Sequence, residues 1–301
     1  MMHNICIRFI YLYEKFKIII NQLSIRHSNI PKVALCCIAK CENDYLKEYM
    51  NYYWSLGVDM IFIYDNNDSN GEHIEDILEE KEKGLCEIID YRDRKICQLE
   101  AYQECYTRHK NEYDWFLFFD CDEFLTFAQP MNIKEFLNLK QFKKNHIIHI
   151  NWMCYGDNDL IINDGRKVTE RFTQPIYPLN FKRQYNFPEN DHIKTIIRGR
   201  LPNIEWSCTP HTPISNYLSC CNPLGIECDA NSPFNTYDFS IAYLRHYLTK
   251  TIEEWIKIKQ KRGYPDQNKH DYEKKLNINE FFKINKWTEE KQKIVDSYKS
   301  K

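Results

Sequence analysis

The sequence predicts an α/β protein in which a mostly parallel sheet is flanked by helices. Three observations lead to this class. Short apolar runs alternate with segments of helical periodicity between residues 33 and 120. The runs are continuously apolar, as expected of strands that are buried on both faces. The chain of 301 residues is 43% hydrophobic and 15% aromatic, which is enough for one large core.

The elements of the first half follow one another in a regular order. Strands are predicted at 33–39, 59–65, 85–91 and 114–120. Helices are predicted between them at 44–57, 71–84 and 96–110, and the first two of these end at a glycine. Helices placed between strands in this way allow consecutive strands to run parallel.

The second half of the chain has a less regular pattern. Asn132 and Glu135 have the spacing of a capping box and predict a helix over 133–140. A strand is expected at 146–153, short strands and polar loops over 154–240, and charged helices at 251–262 and 271–299. We expect this half to complete the sheet and to form the other wall of a ligand cleft.

Three regions are expected along the chain: an N-terminal amphipathic extension (1–30), one main domain (31–265) and a charged helical C-terminal segment (266–301). Arg8 and Lys15 interrupt the apolar residues of the extension, so it lacks the uninterrupted span of a transmembrane helix. The extension either packs on the main domain or lies on a membrane surface.

Composition limits the class of protein and its compartment. The net charge is −2 and no long basic block is present, so nothing in the sequence indicates a nucleic-acid partner. The 13 cysteines are scattered and include no C-x-x-C pair, which argues against a structural zinc site and against a disulfide framework. We therefore expect a cytoplasmic protein, either free or in peripheral contact with a membrane through its N-terminal extension.

Polar segments follow three of the predicted strands. They cover residues 39–44, 65–70 and 120–123. Parallel sheets bind ligands at the carboxyl ends of their strands, so these segments are predicted to line one crevice.

In the stretch "WFLFFDCDEFLTF" (115–127), Asp120, Asp122 and Glu123 stand at the end of the apolar strand. Three carboxylates so close together repel one another. A divalent cation shared by Asp120 and Asp122 would offset this repulsion, and Mg²⁺ and Mn²⁺ favour carboxylate oxygens. The alternative is a solvated turn just past the strand. A second D-x-D occurs in "YGDNDL", so the D-x-D pattern alone is weak evidence for a metal site.

Three stretches resemble GT-A glycosyltransferases of the family 92 and family-2-like group. "CCIAKCENDYLKEYMNYYWSLGVDMIFIYDNNDSN" is similar to their opening segment, and "DWFLFFDCDEFL" to their W-x-x-x-x-D-x-D-E-F element. "LRHYLTKTIEEWIKIKQKRG" is similar to their HYxxKSxEEFxxKxxRG motif. The resemblance covers 33–127 and 240–263 well and the middle less well. Cys41 stands where these proteins usually have Asn, Thr251 replaces Ser, and the helix before Gly263 is one residue longer.

The resemblance implies a GT-A, Rossmann-like sheet with an irregular, acceptor-side second half. It also implies a nucleotide-sugar donor, usually UDP-linked, and Mn²⁺ or Mg²⁺ held by Asp120 and Asp122. By position, the residues beside the nucleotide would be Ala39, Lys40, Glu42, Asp65, Asn66, Asn67 and Asp68. A hydrophilic turn is the alternative for 65–70. The cations that could neutralise the diphosphate are Lys194, Arg198, Arg200 and Lys250.

A late histidine often serves as a third metal ligand in such enzymes. His246, in the "HY" motif, and His211, in "CTPHTP", are the two candidates, and a structural role is the alternative for each. Transfer with inversion also needs a carboxylate base on the acceptor hydroxyl. Asp157 and Asp159 are the candidates, with a surface loop as the alternative.

The sequence therefore predicts a metal-dependent, hexosyltransferase-like glycosyltransferase (EC 2.4) of glycan biosynthesis. The donor is expected to be a nucleotide sugar, and the acceptor a saccharide or glycoconjugate such as a glycan or glycolipid. One rival is a nucleotidyltransferase acting on sugar phosphates, which usually carries a glycine-rich phosphate loop that "IAKCEND" lacks. The other is a non-catalytic protein that binds nucleotide sugars.

Overall fold

The computed structural model describes residues 30–176, 188–215, 217–267 and 276–299, with isolated positions before residue 30. Most of the predicted N-terminal extension and part of the predicted C-terminal segment therefore lie outside the described residues. Within the described part of the chain, no helix is long and apolar enough to cross a membrane.

The described strands form one continuous sheet. In chain order they are β1 Val33–Ala39, β2 Met60–Asp65, β3 Cys86–Asp90, β4 Trp115–Phe118, β5 Glu123–Phe127, β6 Ile147–Tyr155, β7 Ile193–Arg198, β8 Cys220–Cys221, β9 Glu227–Cys228 and β10 Ala242–Tyr247. Their order across the sheet is β3-β2-β1-β4-β7-β6-β10-β5, with β8 beside β6 and β9 beside β8. The predicted α/β class is confirmed.

Most neighbouring strands in this sheet are parallel. β1, β2, β3 and β4 pair in parallel, as do β6 with β10 and β6 with β8. β7 is antiparallel to both β4 and β6, and β5 is antiparallel to β10. Because β7 and β5 run the opposite way, their first residues lie at the same edge as the carboxyl ends of β1, β4, β6 and β10.

Helices cover both faces of the sheet. The described α-helices are α1 Asn43–Leu56, α2 Gln98–His109, α3 Ile133–Leu137, α4 Val168–Arg171, α5, α6 Ile278–Ile284 and α7 Glu289–Lys299. Helix α5 consists of Ile252–Glu254, a π-helical turn Trp255–Lys259, and Gln260–Arg262. Short 3₁₀ turns occupy Ile74–Ile77, Lys140–Phe142 and Pro188–Asp191.

Alternate residues of β1 face different helices, as the pleat of a strand requires. Leu35 belongs to the same apolar cluster as Leu46 of α1, and Cys36 to the same cluster as Ala101 and Tyr102 of α2. All five side chains are fully buried. Because truncation of such a residue leaves a cavity, Leu46→Ala should cost about 2–5 kcal/mol of stability.

The prediction of a helix at 71–84 is wrong. The segment forms only the 3₁₀ turn Ile74–Ile77, followed by turns. Its apolar residues Ile74, Ile77 and Leu78 make up a single helical turn, and the rest is polar or glycine and exposed, apart from the buried Glu82. A longer helix here would have no apolar face to bury, and short helices gain little stability without one.

The capped helix near residue 133 is confirmed, but it is shorter than predicted. Asn132 accepts a hydrogen bond from the Glu135 backbone N–H, and Glu135 accepts one in return from the Asn132 backbone. The helix ends at Leu137. In the predicted helical region 271–299, the described residues form two helices, α6 and α7, rather than one.

Candidate active site

A cleft of about 990 Å³ opens at the carboxyl edge of the sheet. One wall, here called the β1–β2 wall, is lined by Ile38, Lys40, Glu42, Asn66 and residues 94–96. The opposite wall, the β6–β7 wall, is lined by Trp152, Glu189, His192, Pro210 and His211. Between them lie Asp120, Asp122, Lys194 and His246, and the end of α5 with residues 263–267 covers them.

Asp120 and Asp122 lie in the turn that joins β4 to β5, and they have different environments. Asp120 is fully hydrogen-bonded: its Oδ2 lies 2.7 Å from Lys194 Nζ, and its Oδ1 accepts bonds of 2.9 Å from Gln98 and Tyr102. Asp122 is only 6% exposed, and no side chain donates a hydrogen bond to it in the described part of the chain. Asp122 is therefore the carboxylate with open coordination positions.

Glu123 explains how the carboxylate cluster is tolerated. It is completely buried, and its Oε2 accepts a hydrogen bond from the Asp120 backbone N–H. Burial raises the pKa of Glu123 well above its usual value, and the neighbouring Lys194 opposes this shift. Lys194 Nζ lies between Asp120 and Glu123, at 3.9 Å from the latter. Part of the repulsion expected from the sequence is thus offset by a buried lysine.

Three basic side chains and one histidine surround Asp122. Lys259 Nζ and Arg262 lie 3.7 and 3.6 Å from Oδ2, and His246 Nε2 lies 3.8 Å from Oδ1. Burial acts against ionisation of Asp122, but the interactions with His246 and then with Lys259, Lys250 and Lys194 leave its pKa below the usual value. Asp122 is therefore a buried anion within a basic environment.

His246 reaches Asp122 through the register of the sheet. It lies opposite Glu123 across the β10–β5 pair, one residue from Asp122. Burial lowers the pKa of His246 to about 3, so the imidazole is neutral at physiological pH. A neutral imidazole is the form that binds metals.

The donor set fits a divalent cation. A carboxylate oxygen of Asp122 and an imidazole nitrogen of His246 face each other at 3.8 Å without a hydrogen bond between them. Carboxylate oxygens suit Mn²⁺ and Mg²⁺, and a neutral imidazole is a common ligand of transition-metal ions. Among the described residues, however, no three His, Cys, Asp or Glu side chains are grouped as a complete metal site. The remaining positions would have to be filled by Asp120 after it leaves Lys194, by water or by a ligand.

Helix α5 carries Lys259 and Arg262, which line the cleft. Its first turn is fixed by a capping box between Thr251 and Glu254, and Arg171 binds Glu254 with two hydrogen bonds of 2.8 and 2.9 Å. The π turn then changes the phase of the helix, a feature that often marks functional sites. Gly263, with φ +69°, turns the chain back over the cleft.

The β1–β2 wall is rich in polar groups that already have partners. Glu42 is buried and pairs with Arg262, and its Oε2 lies 3.5 Å from Lys250 Nζ. Lys40 pairs with the exposed Asp68 at 2.8 Å. Arg262 therefore bridges this wall and Asp122.

The predicted nucleotide residues divide into two groups. Lys40, Glu42 and Asn66 line the cleft. Asp65 is 1% exposed and is bound by Arg92 at 2.7 Å and by the Asn67 side chain at 2.8 Å. The other three predicted residues, Ala39, Asn67 and Asp68, are not among those that line the cleft. Asn67 accepts a hydrogen bond from the Cys41 backbone and so holds β1 and β2 together.

The β6–β7 wall is aromatic. His192 stacks on Trp152 with an interplanar angle of 8°, and Trp152 also contacts His211 and His246 at centroid distances of 5.3 and 4.1 Å. Nδ1 of His211 is paired with the Ile193 carbonyl at 2.8 Å. Burial lowers the pKa of His211 to about 3, so this wall carries an uncharged imidazole at neutral pH.

The other predicted charged residues lie elsewhere. Asp157 pairs with Lys291 of α7 at 2.5 Å, Asp159 has an exposed side chain, and neither lines the cleft.

The two predicted arginines also lie away from the cleft. Arg198 stacks on Trp115. In the same region, Arg200 pairs with Asp114. The strand β7 explains the difference from Lys194: it starts at the cleft edge, and its end at Arg198 is at the opposite edge of the sheet.

Sequence reasoning missed several residues that line the cleft. These are Gln98, Trp152, Glu189, His192, Lys259, Arg262, Tyr264 and Asp266. Arg262 and Lys259 fall within the recognised HYxxK-type motif, so the motif held a signal for them. Trp152 and Glu189 carried no local signal, because only the long-range pairing of β6 and β7 brings them to the site.

Comparison with known proteins gives one consistent family. The model described as glycosyltransferase family 92 matches residues 33–292. A family 92 protein of Oryza sativa subsp. japonica is 28% identical over 106 residues, covering 35% of this chain and 18% of that protein. One of Ricinus communis is 33% identical over 102 residues, covering 33% of this chain and 17% of that protein.

A family 92 protein of Arabidopsis thaliana is 32% identical over 98 residues, covering 32% of this chain and 16% of that protein. The matched stretches thus span less than a quarter of the length of these curated relatives. The family model, in contrast, spans most of the chain, including the D-x-D turn, β10 and α5. The protein therefore belongs to glycosyltransferase family 92.

Proposed function

We propose that this protein is a glycosyltransferase that moves a sugar from a nucleotide-sugar donor to the hydroxyl group of a saccharide or glycoconjugate. Family membership supports sugar transfer as the reaction class. The single observation that carries the donor assignment is the arrangement around Asp122, where a buried carboxylate faces Lys259, Arg262 and a neutral His246.

This arrangement suits a diphosphate that is bound together with a divalent cation. Lys259 and Arg262 would contact phosphate oxygens, and Arg262 can do so with two parallel hydrogen bonds. Asp122 and His246 would hold Mn²⁺ or Mg²⁺, with Asp120 as the further ligand. When bound, the cation would draw negative charge from the diphosphate as it leaves.

The nucleoside would lie along the β1–β2 wall, beside Lys40, Asn66 and residues 94–96. Ile96 lines this part of the cleft, is 58% exposed and has a φ of +51°. Positive φ is costly for a β-branched residue, and such strain is concentrated at functional sites. An exposed apolar side chain beside an amide suits a nucleobase, and we propose uracil because the donors of similar enzymes are usually UDP-linked.

The acceptor would enter along the β6–β7 wall. The stacked rings of Trp152 and His192 form an aromatic lining that suits the apolar side of a sugar ring, and the uncharged His211 can hydrogen-bond to a hydroxyl group. In the sheet order, β4 lies between the β1–β2 wall and the β6–β7 wall, so that donor and acceptor would meet above Asp122, which follows β4.

A thermal-shift screen tests the donor assignment. The protein is heated with UDP, GDP, ADP and CDP, each with Mn²⁺ and with a chelator instead. One diphosphate should raise the unfolding midpoint only when Mn²⁺ is present, because ligand binding to the folded state stabilises it. The matching nucleotide sugar is then incubated with candidate saccharides, and the released nucleotide is identified.

The identity of the released nucleotide separates the reaction classes. Release of a nucleoside diphosphate together with a glycosylated acceptor is expected. Release of pyrophosphate from a nucleoside triphosphate and a sugar phosphate would instead indicate a nucleotidyltransferase. Metal-dependent binding of the sugar nucleotide without turnover by any acceptor or by water would indicate a binding protein.

A further inference from the structure

Six carboxylates line the cleft in the described part of the chain, and most of them are already paired with cations. Glu42 pairs with Arg262, Asp120 with Lys194, and Glu280 with Lys283. Asp122 is surrounded by basic groups, as described above. This leaves Glu189 and Asp266 as the acidic side chains of the cleft that no cation contacts in the described part of the chain.

Glu189 combines the lack of a cation partner with a buried oxygen, Oε2, that has no hydrogen-bond partner in the described part of the chain. A buried carboxylate oxygen without a partner costs free energy, and such costs are tolerated at functional sites. Glu189 lines the β6–β7 wall together with Trp152 and His211.

The turn that carries Glu189 is held firmly against β6. Asn190 accepts a hydrogen bond of 3.0 Å from the Cys154 backbone N–H, and its carbonyl accepts one from the Asn151 side chain at 3.2 Å. The Trp152 backbone N–H bonds the carbonyl of His192 at 3.0 Å. These anchors fix the backbone of the turn from which the Glu189 side chain extends, and a rigid support of this kind is what a catalytic group needs.

The same contacts connect Glu189 to the proposed metal ligands. Cys154, which binds the Glu189 turn, lies opposite His246 in the register of β6 and β10. His246 in turn lies 3.8 Å from Asp122. The Glu189 turn is therefore anchored to the strand that pairs with β10, and Glu189 lines the side of the cleft away from the proposed nucleoside position.

We infer that Glu189 is the general base of the transfer reaction, an inference that rests on the proposed function. Its carboxylate accepts the proton of the acceptor hydroxyl as that oxygen attacks the anomeric carbon of the donor. The new C–O bond forms while the bond between the anomeric carbon and the phosphate oxygen breaks. The electron pair of the broken bond leaves on the nucleoside diphosphate, and the proton stays on Glu189 until solvent removes it.

The positions of Asp157 and Asp159 make them poorer bases. Asp157 is paired with Lys291 at 2.5 Å, and neither residue lines the cleft. Asp266 lies on the segment after α5, where the Pro265 carbonyl accepts hydrogen bonds from the start of α2. It is thus on the cover of the cleft rather than on the acceptor wall, and it is the rival that an experiment must test.

The test compares Glu189→Gln with Asp266→Asn in the full-length protein, using the donor found by the nucleotide screen. Glu189→Gln should lower kcat by about 100- to 10,000-fold, the usual contribution of a general base. The KM for the donor, Mn²⁺-dependent binding of the nucleoside diphosphate and the unfolding midpoint should stay near wild-type values, because the donor site is intact. Asp266→Asn should reduce kcat much less.

Azide separates a chemical role from a structural one. Azide is already anionic and needs no base, so Glu189→Ala with added azide should convert the donor into a glycosyl azide and free nucleoside diphosphate. Near-normal kcat in Glu189→Gln, or loss of kcat only in Asp266→Asn, would overturn the assignment. So would loss of kcat in Glu189→Ala without any azide product. If the wild-type protein binds no nucleotide and transfers no sugar, the proposed function itself has failed.

Discussion

The two walls of the cleft differ in charge. On the β1–β2 wall, ionic groups such as Glu42 and Lys40 are paired, and Arg262 links that wall to Asp122. On the β6–β7 wall, an indole and two imidazoles lie beside the single acidic side chain of Glu189, and burial lowers the pKa of His211 to about 3. A ligand with negative charge is favoured on one side and an uncharged ligand on the other. The contrast matches a nucleotide sugar facing a sugar acceptor.

The centre of the cleft should give the largest effect of any substitution. Asp122→Asn removes the negative charge that faces His246, Lys259 and Arg262, so cation binding should be lost. Because a cation supplies several kcal/mol of charge stabilisation, sugar transfer should fall by at least about 100-fold. Transfer rates at saturating Mn²⁺ measure this. The exposed Asp76→Asn is the matched control, and equal rates in both variants would remove Asp122 from the metal site.

Substitution can also decide whether His246 or His211 is the histidine that binds the metal. His246→Ala should weaken Mn²⁺ binding, since its Nε2 faces Asp122 at 3.8 Å. His211→Ala should leave the Mn²⁺ titration almost unchanged, because its ring belongs to the β6–β7 wall. Loss of the metal only in His211→Ala would move the third ligand to that wall.

The charged side of the cleft is tested by Lys259→Met. A lost charge-assisted hydrogen bond costs about 1.5–3 kcal/mol, so the Kd for the nucleoside diphosphate should rise about 10- to 100-fold. The KM for the acceptor should change little. Lys257→Met is the control on the same helix, because Lys257 is 47% exposed and pairs with Glu253. Calorimetry gives both dissociation constants, and an equal effect of the two variants would contradict the assignment.

The aromatic side of the cleft is tested by Trp152→Leu. Aromatic contacts contribute about 0.5–1.5 kcal/mol beyond burial, so the KM for the acceptor should rise up to about tenfold. The affinity for the nucleoside diphosphate should stay the same. Trp287→Leu, which changes a tryptophan that is 52% exposed, is the control. A change in donor affinity without a change in acceptor KM would reverse the roles of the walls.

The effect that is furthest from catalysis is a change in the pH dependence of stability. Because the pKa of His211 is about 3 in the folded state and about 6.5 in the unfolded chain, the unfolded chain binds more protons between these values. Stability should therefore fall as the pH drops below about 6.5, by up to about 1.4 kcal/mol per pH unit for this group. His211→Gln should flatten this slope in denaturant titrations, whereas the exposed His73→Gln should not.

The sequence predicted the fold and the residues between the two walls of the cleft better than it predicted the walls themselves. Asp120 and Asp122 could be found because they follow a continuous apolar strand in a single local motif. His246 was found as a candidate because its motif is local, although its contact with Asp122 depends on sheet register. The role of Asp65 stays a prediction, but the structure gives its carboxylate a structural partner in Arg92.

The β6–β7 wall could not be predicted for a physical reason. Its residues come from β6, from the turn before β7 and from the loop near 210, and only the antiparallel insertion of β7 brings them together. Lys259 and Arg262 depend on the π turn of α5: the sequence showed one extra residue before Gly263, but it did not show which side chains the changed helical phase turns toward the cleft. Long-range pairing and local helical irregularity therefore set the limit of the sequence analysis.

The most direct measurement of the central claim is calorimetric titration of UDP into wild-type protein and Asp122→Asn, each with Mn²⁺ and with a chelator. We expect UDP to bind the wild-type protein only when Mn²⁺ is present, and to bind Asp122→Asn weakly under both conditions. Equal affinity of the wild-type protein for UDP with and without Mn²⁺, together with unchanged binding by Asp122→Asn, would contradict a metal-dependent donor site at Asp122.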